Sequence, residues 1–122
     1  MPTTVDAQIA EALVALLRPY ADRLDVVNES SWSYLMQTKK PAYKKGPLMF
    51  AGVRVGKAYV SYHLVPIYMN EPLKATISPA LRKRMQGKAC FNFKEMPDAA
   101  LLEELRTLTE ASFRSFEAAG YI

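Results

Sequence analysis

Residues 48–64 read LMFAGVRVGKAYVSYHL, two β-rich runs, 48–55 and 58–64, that flank Gly56 and Lys57. Glycine at the first central position of a two-residue turn suits the primed turns, whose backbone matches strand twist. A reversal there predicts Val55 opposite Ala58, Val53 opposite Val60, Ala51 opposite Tyr62 and Met49 opposite Leu64. These residues share one face and are mainly apolar, so that face is expected to meet the core. The other face then carries Arg54 against Tyr59, Gly52 against Ser61 and Phe50 against His63. One turn sorts a whole surface into an inside and an outside.

Towards the N-terminus, Ile9, Leu13, Leu16, Leu17, Tyr20 and Leu24 recur at helical spacing. Thr3 or Thr4 opens this helix, with Thr3 and Asp6 placed as a cap, and Pro19 predicts a kink or restart because it lacks a backbone donor. Alternation over Ser31–Thr38 predicts a strand with Trp32, Tyr34 and Met36 on one side. The following stretch, with Lys39, Lys40, Lys44 and Lys45 among two prolines and Gly46, reads as a loop.

Beyond the hairpin, Pro66 and Pro72 break residues 65–77 into a crossing loop with room for a short helical or extended piece. Ser78 followed by Pro79 opens a short helix that runs to about Met85 and stops at Gly87. Residues 89–93 predict a strand with Ala89, Phe91 and Phe93 on one face and Cys90 and Asn92 on the other. Pro97 and Asp98 open the last helix, whose apolar stripe is Leu101, Leu105, Leu108, Phe113 and Phe116, and Gly120 closes it. Glu110 and Arg114 sit four apart on its wet side. This order predicts one α+β domain over residues 1–122. Its architecture is a two-layer sandwich, with the N- and C-terminal helices covering one face of an antiparallel sheet.

Charge is unevenly spread. Residues 39–94 hold 12 Lys/Arg and one acid, Glu71, whereas the rest of the chain holds 4 basic and 11 acidic residues, and the whole carries a formal +4. Such a field recruits an anionic partner, or else acidic helices neutralise a basic sheet within the molecule. Half the residues are hydrophobic and 23% are charged, a globular composition and not a disordered one. No apolar run approaches the ~20 residues that span a bilayer, and the N-terminal residues lack the pattern of a secretory signal. One cysteine, Cys90, precludes an internal disulfide and suits a reducing cytoplasm, the expected location. One histidine and one cysteine are too few for a Cys/His zinc site, and no cofactor is expected.

The hairpin, together with SPALRKRMQGKACFNFK at residues 78–94 and the leucine-rich C-terminal helix, resembles the YdhG-like family of small, mostly bacterial domains of unknown function. The resemblance covers roughly residues 27 to 119. It implies an antiparallel sheet flanked by helices, and a frataxin-like iron chaperone role proposed for one branch. Iron binding calls for clustered carboxylates. Here Asp6, Glu11, Asp22, Asp25 and Glu29 are scattered over the first helix and the residues just after it.

The favoured site is the open face of the sheet. Gly52 beside Ser61 predicts a low floor, Arg54 and Tyr59 one wall, and Phe50 and His63 the other, with Trp32 and Tyr34 extending the surface. Aromatic walls, one guanidinium and one imidazole suit a small planar anion. The competing explanation is structural: Gly52 marks a bend, and Phe50 and Tyr59 pack beneath a loop. His63 alone titrates near neutrality, but no carboxylate lies near it in sequence and no nucleophile motif accompanies it. Cys90, alternating with aromatic residues, reads as a core thiol. Arg82, Lys83, Arg84 and Lys88 suit the end of a short helix through its dipole. Joined to Lys39, Lys40, Lys44 and Lys45, with Tyr43 for stacking, they would instead form a polyanion-binding rim.

The chain is therefore expected to bind a small anion or a protein partner on the open sheet face without catalysing a reaction. The alternatives are weak nucleic-acid binding through the basic segment, a homodimer that buries the bare face, and, last, the iron chaperone.

Overall fold

The computed structural model of the chain describes residues 4–30, 33–39, 46–87 and 89–122. Helix α1 spans Thr4–Leu17 and brings Ile9, Leu13 and Leu17 onto one fully buried stripe. Proline at position 19 lacks the N–H that would continue the ladder, and the chain tightens into a 3-10 turn over Arg18–Tyr20. Leu24 then begins a strand, β1 (Leu24–Glu29), where the sequence pattern had extended the helix. Leu24 is buried in either setting, which is why helical spacing alone misassigned it.

Strands β2 (Ser33–Thr38), β3 (Met49–Val55) and β4 (Val60–Leu64) come next. Residues 65–77 form two short helices, α2 (Val65–Met69) and α3 (Glu71–Ala75), each with proline in its first turn, where the missing N–H costs nothing. The Ser78 hydroxyl caps α4 (Pro79–Arg82), as the Ser-Pro pair predicts, but this helix is a single turn. Met85 and Gln86 leave it for a short strand, β5, which turns at Gly87 (φ 76°) into β6 (Cys90–Phe93). The Asp98 carboxylate accepts from the Leu101 N–H at 2.9 Å and opens α5 (Ala99–Ala118), which Gly120 (φ 84°) ends.

The six strands form one antiparallel sheet in the order β1-β2-β3-β4-β6-β5. One face contributes Tyr34, Met36, Val53, Val55, Val60, Tyr62, Phe91 and Phe93 to a core shared with α1 and α5. The expected α+β layering, helices on one side of an antiparallel sheet, is what the chain adopts. Tyr62 is wholly buried, and its hydroxyl meets the Thr109 hydroxyl of α5 at 2.6 Å, while Thr109 donates to the Leu105 carbonyl at 2.7 Å. That pairing satisfies the one polar atom Tyr62 carries into the core.

Two corrections bear on the site. The reversal is not a two-residue primed turn: Val55 pairs with Val60, leaving a four-residue loop over 56–59 closed by Gly56 N–H donating to the Tyr59 carbonyl at 3.0 Å. Gly56 is not in the left-handed region that a primed turn demands at this position. Glycine serves there through close approach, since a Cβ would lie 3.2 Å from the Tyr59 oxygen. The register is thus slipped by two residues, which exchanges every cross-strand partner and preserves the faces of residues 51–55 and 60–64.

The second correction is a bulge. Met36 pairs with Ala51 but Gln37 pairs with Met49, so Phe50 is the extra residue of β3. It turns under the helices, fully buried, with ring centroids 6.0 Å from Phe113 and 5.7 Å from Phe116. Phe50 is a core residue and not a wall of the open face.

Candidate functional site

The strand pairings align two rows of side chains across the uncovered face of the sheet. One row runs Ser33, Arg54, Ser61, Asn92; the next runs Leu35, Gly52, His63, Cys90, Gln86. Alternation along β3, β4 and β6 places these residues opposite the buried set, so the face predicted to be open for Arg54, Ser61 and His63 is the face they occupy. Arg54, Tyr59, Ser61, His63, Gln86, Cys90 and Asn92 line a shallow depression of about 640 Å³ that also takes in the 56–59 loop.

Its floor is a connected hydrogen-bond network. Ser61 Oγ donates to Asn92 Oδ1 at 2.8 Å, and Cys90 Sγ approaches the same oxygen at 3.3 Å. Asn92 Nδ2 donates to Gln86 Oε1 at 2.7 Å, and the Tyr59 hydroxyl reaches over from the loop to that oxygen at 3.2 Å. Cys90 Sγ also lies 3.5 Å from His63 Nε2, because the two residues are direct cross-strand partners. Burial holds His63 below its ordinary value of 6.5, and the Arg54 charge adds to that effect. Burial pushes the Cys90 thiol above its ordinary value, with the Ser61 hydroxyl acting in the opposite sense. At neutral pH the pair is therefore a thiol beside a neutral imidazole, with no standing ion pair.

Gly52 does not provide an empty floor. A Cβ on it would lie 2.5 Å from Leu35 Cδ2 and 3.0 Å from Met49 Cε, so those two side chains already fill the space above the glycine. Its cross-strand neighbour is His63, and Ser61 faces Arg54. Tyr34 is also misplaced in the sequence reading: it lies on the helix side of β2, 4% exposed, under the Arg18 guanidinium at 5.5 Å from the ring centre. Trp32 lies outside the described residues.

The basic set divides. Arg82 is committed to the protein, donating through Nε to the Ile77 carbonyl at 3.1 Å and through Nη2 to the Lys74 carbonyl at 2.9 Å. Lys83 and Arg84 are exposed and, with Tyr59, Gln86, Asn92 and Lys94, line a second hollow of about 450 Å³ that shares three residues with the first. Lys39 follows the end of β2 that pairs towards Met49, at the opposite end of the sheet from the 56–59 loop, and lines a hollow with Asp22 and Arg23. It does not join the Lys83/Arg84 cluster as the predicted rim required. Lys40, Tyr43, Lys44, Lys45 and Lys88 lie outside the described residues.

Among the described residues, every ion pair uses Arg18, Arg23, Arg106 or Arg114, all from outside the basic 39–94 segment. None of these pairs draws on a described Lys or Arg of that segment. No three His, Cys, Asp or Glu side chains among the described residues group closely enough to hold a metal ion, and no described helix is long and apolar enough to cross a membrane.

Of the residues that line the depression, the sequence reading named Arg54, Tyr59, Ser61 and His63 as site residues; it did not so name Asn92 or Gln86, and it took Cys90 for a core thiol, whereas Cys90 is partly exposed on this face. The parity of residues 89–93 had placed Cys90 and Asn92 together, away from the phenylalanines. What it lacked was the partner strand, because β6 pairs with β4 across three intervening helices. Compared with models of known protein families, with curated proteins and with solved structures, the chain matches none.

Proposed function

We propose that the chain binds a small anion, a carboxylate or phosphate compound, in the open-face depression, and that it does so without catalysing turnover. The observation carrying this reading is Arg54. It is exposed at the edge of the depression, makes no ion pair among the described residues, and stands beside Ser61 and His63. A guanidinium offers a fork of donors that matches a carboxylate or phosphate. The His63 imidazole adds a donor whose protonation an anion would favour, since the anion offsets the Arg54 charge that now opposes it. Membership of the YdhG-like family, proposed on the hairpin and on residues 78–94, agrees with this architecture and assigns no ligand. A cytoplasmic setting belongs to the same proposal.

Titration with inorganic phosphate, followed by amide shifts of Arg54, Ser61, His63 and Asn92, tests it. Arg54→Ala should weaken binding about tenfold or more, roughly the loss of one charge-assisted contact. If Arg54→Ala and His63→Ala both leave the phosphate interaction intact, the reading is abandoned.

One observation favours a longer polyanion as the second reading: the two hollows meet at Tyr59, Gln86 and Asn92, so Arg54, Lys57, Lys83, Arg84 and Lys94 border a continuous surface. Binding of a single-stranded oligonucleotide would then weaken steeply with salt, by about 0.7 log units per phosphate contact for each decade. A flat salt response removes it.

A further inference from the structure

We propose that Cys90 is a reactive thiol, activated by His63 as general base and selective for small electrophiles that carry a carboxylate or phosphate held by Arg54. This rests on the anion-binding reading above and adds covalent chemistry to it. Cys90 is not an isolated thiol in the fold. Cross-strand pairing holds it against His63 with Sγ 3.5 Å from Nε2, within reach of proton transfer. On its other side Asn92 Oδ1, 3.3 Å away, fixes the sulfur, and that amide is itself anchored by Ser61 and Gln86. Cys90 and Arg54 line the same depression, and the proposal places an anion on the guanidinium with its reactive carbon reaching towards the thiol.

The state of the pair defines the kind of activation. At rest the thiol donates its proton to Asn92 Oδ1, and the neutral imidazole on the other side of the sulfur is the base that takes it as the new bond forms. A preformed thiolate would instead be stabilised by a neighbouring cation and titrate low. Arg54 opposes the imidazolium while the site is empty. An anionic electrophile cancels that charge on arrival, which favours proton transfer when substrate is bound. With iodoacetate as the probe, sulfur forms a bond to the methylene carbon as the carbon–iodine bond breaks. Iodide leaves with the electron pair, and the thiol proton passes to His63 Nε2 and then to water.

The test measures alkylation of Cys90 by mass spectrometry with iodoacetate and with neutral iodoacetamide. The folded chain is compared with the same chain unfolded in guanidinium chloride, and Cys90→Ser serves as the blank. The proposal expects the iodoacetate to iodoacetamide rate ratio to be about tenfold higher in the folded chain than in the unfolded one. Arg54→Gln should abolish that excess, bringing the ratio of the folded chain down to that of the unfolded one. His63→Gln should slow both reagents about tenfold, a modest share of what general bases contribute. Both substitutions lie on the uncovered face, and circular dichroism checks that they fold.

A His63→Gln rate equal to that of the unsubstituted chain overturns the proposal. If phosphate still shifts the Arg54 and Ser61 amides in that case, the covalent step fails and anion binding stands. If phosphate shifts nothing and iodoacetate shows no excess, the binding reading fails and takes this proposal with it.

Discussion

Tyr62 and His63 are adjacent in β4 and belong to different chemistries. Tyr62 points under α5, loses all contact with water and spends its hydroxyl on Thr109. His63 points the other way, partly exposed, between Arg54 and Cys90. The same alternation separates Val53 from Arg54 and Phe91 from Cys90 and Asn92. On the helix-covered face the apolar side chains interlock and the Tyr62 hydroxyl is satisfied. The uncovered face holds polar groups with donors to spare and a cation that none of the described ion pairs uses. The difference shows where this sheet's stability is stored and where its chemistry is available.

Substitutions on the two faces should separate accordingly. The largest effect is expected at Phe50, where truncation to alanine empties a site ringed by Tyr20, Phe113 and Phe116. Phe50→Ala should cost about 3–5 kcal/mol in denaturant unfolding. The counterpart, Arg54→Ala, should stay within about 0.5 kcal/mol of the original chain, as exposed positions do. Equal losses at the two positions would break the division.

Next comes the polar contact inside the core. Thr109→Val leaves the Tyr62 hydroxyl buried without a partner and should cost about 1–3 kcal/mol. Tyr62→Phe should cost less, because Thr109 keeps its bond to the Leu105 carbonyl. A thermal-melt series that ranks the two the other way would contradict the assignment of Thr109 as the satisfying group.

A smaller effect is expected from His63. Its folded-state value lies below the unfolded 6.5, so the unfolded chain takes up the proton first. The stability this contributes is fully present above about 6.5 and is lost as pH falls through that value towards the folded one. His63→Gln should therefore show a shallower fall in melting temperature on acidification than the original chain. Anion binding should run in the opposite sense and tighten as pH falls, since Arg54 from β3 and Cys90 from β6 face the imidazole and only the bound anion favours its charge. An identical pH response in the two chains would remove His63 from both accounts.

The smallest effect is expected at Ser112, whose hydroxyl is buried on α5 with no partner among the described residues. Ser112→Ala should be neutral or raise stability slightly, because it removes a desolvated polar atom and restores a better helix former. A clear loss in the same melts would reveal a partner.

Legibility tracked the range of the interactions. The caps at Ser78 and Asp98, the stop at Gly120 and the Glu110–Arg114 pair on α5, at 3.8 Å, are settled within a few residues and were readable. Leu24 was misread because a strand that begins with one buried leucine after a 3-10 turn continues a helical spacing by coincidence. Phe50 was misread because strict alternation was assumed across Leu48, Met49 and Phe50. Three large apolar residues in succession are the one local sign that the period breaks there. Within the site, Arg54, Ser61 and His63 were accessible through parity, whereas Cys90, Asn92 and Gln86 needed the identity of the neighbouring strand.

By itself, then, the amino-acid order settled which way the side chains of residues 51–55 and 60–64 point, since a strand's two-residue period is local and survives even a two-residue slip. Only the folded chain decided who stands beside whom. The four-residue loop, the bulge at Phe50 and the docking of β6 on β4 are set by packing and chain closure over long separations. Those choices brought a thiol, an imidazole and a guanidinium that no described ion pair uses onto one face.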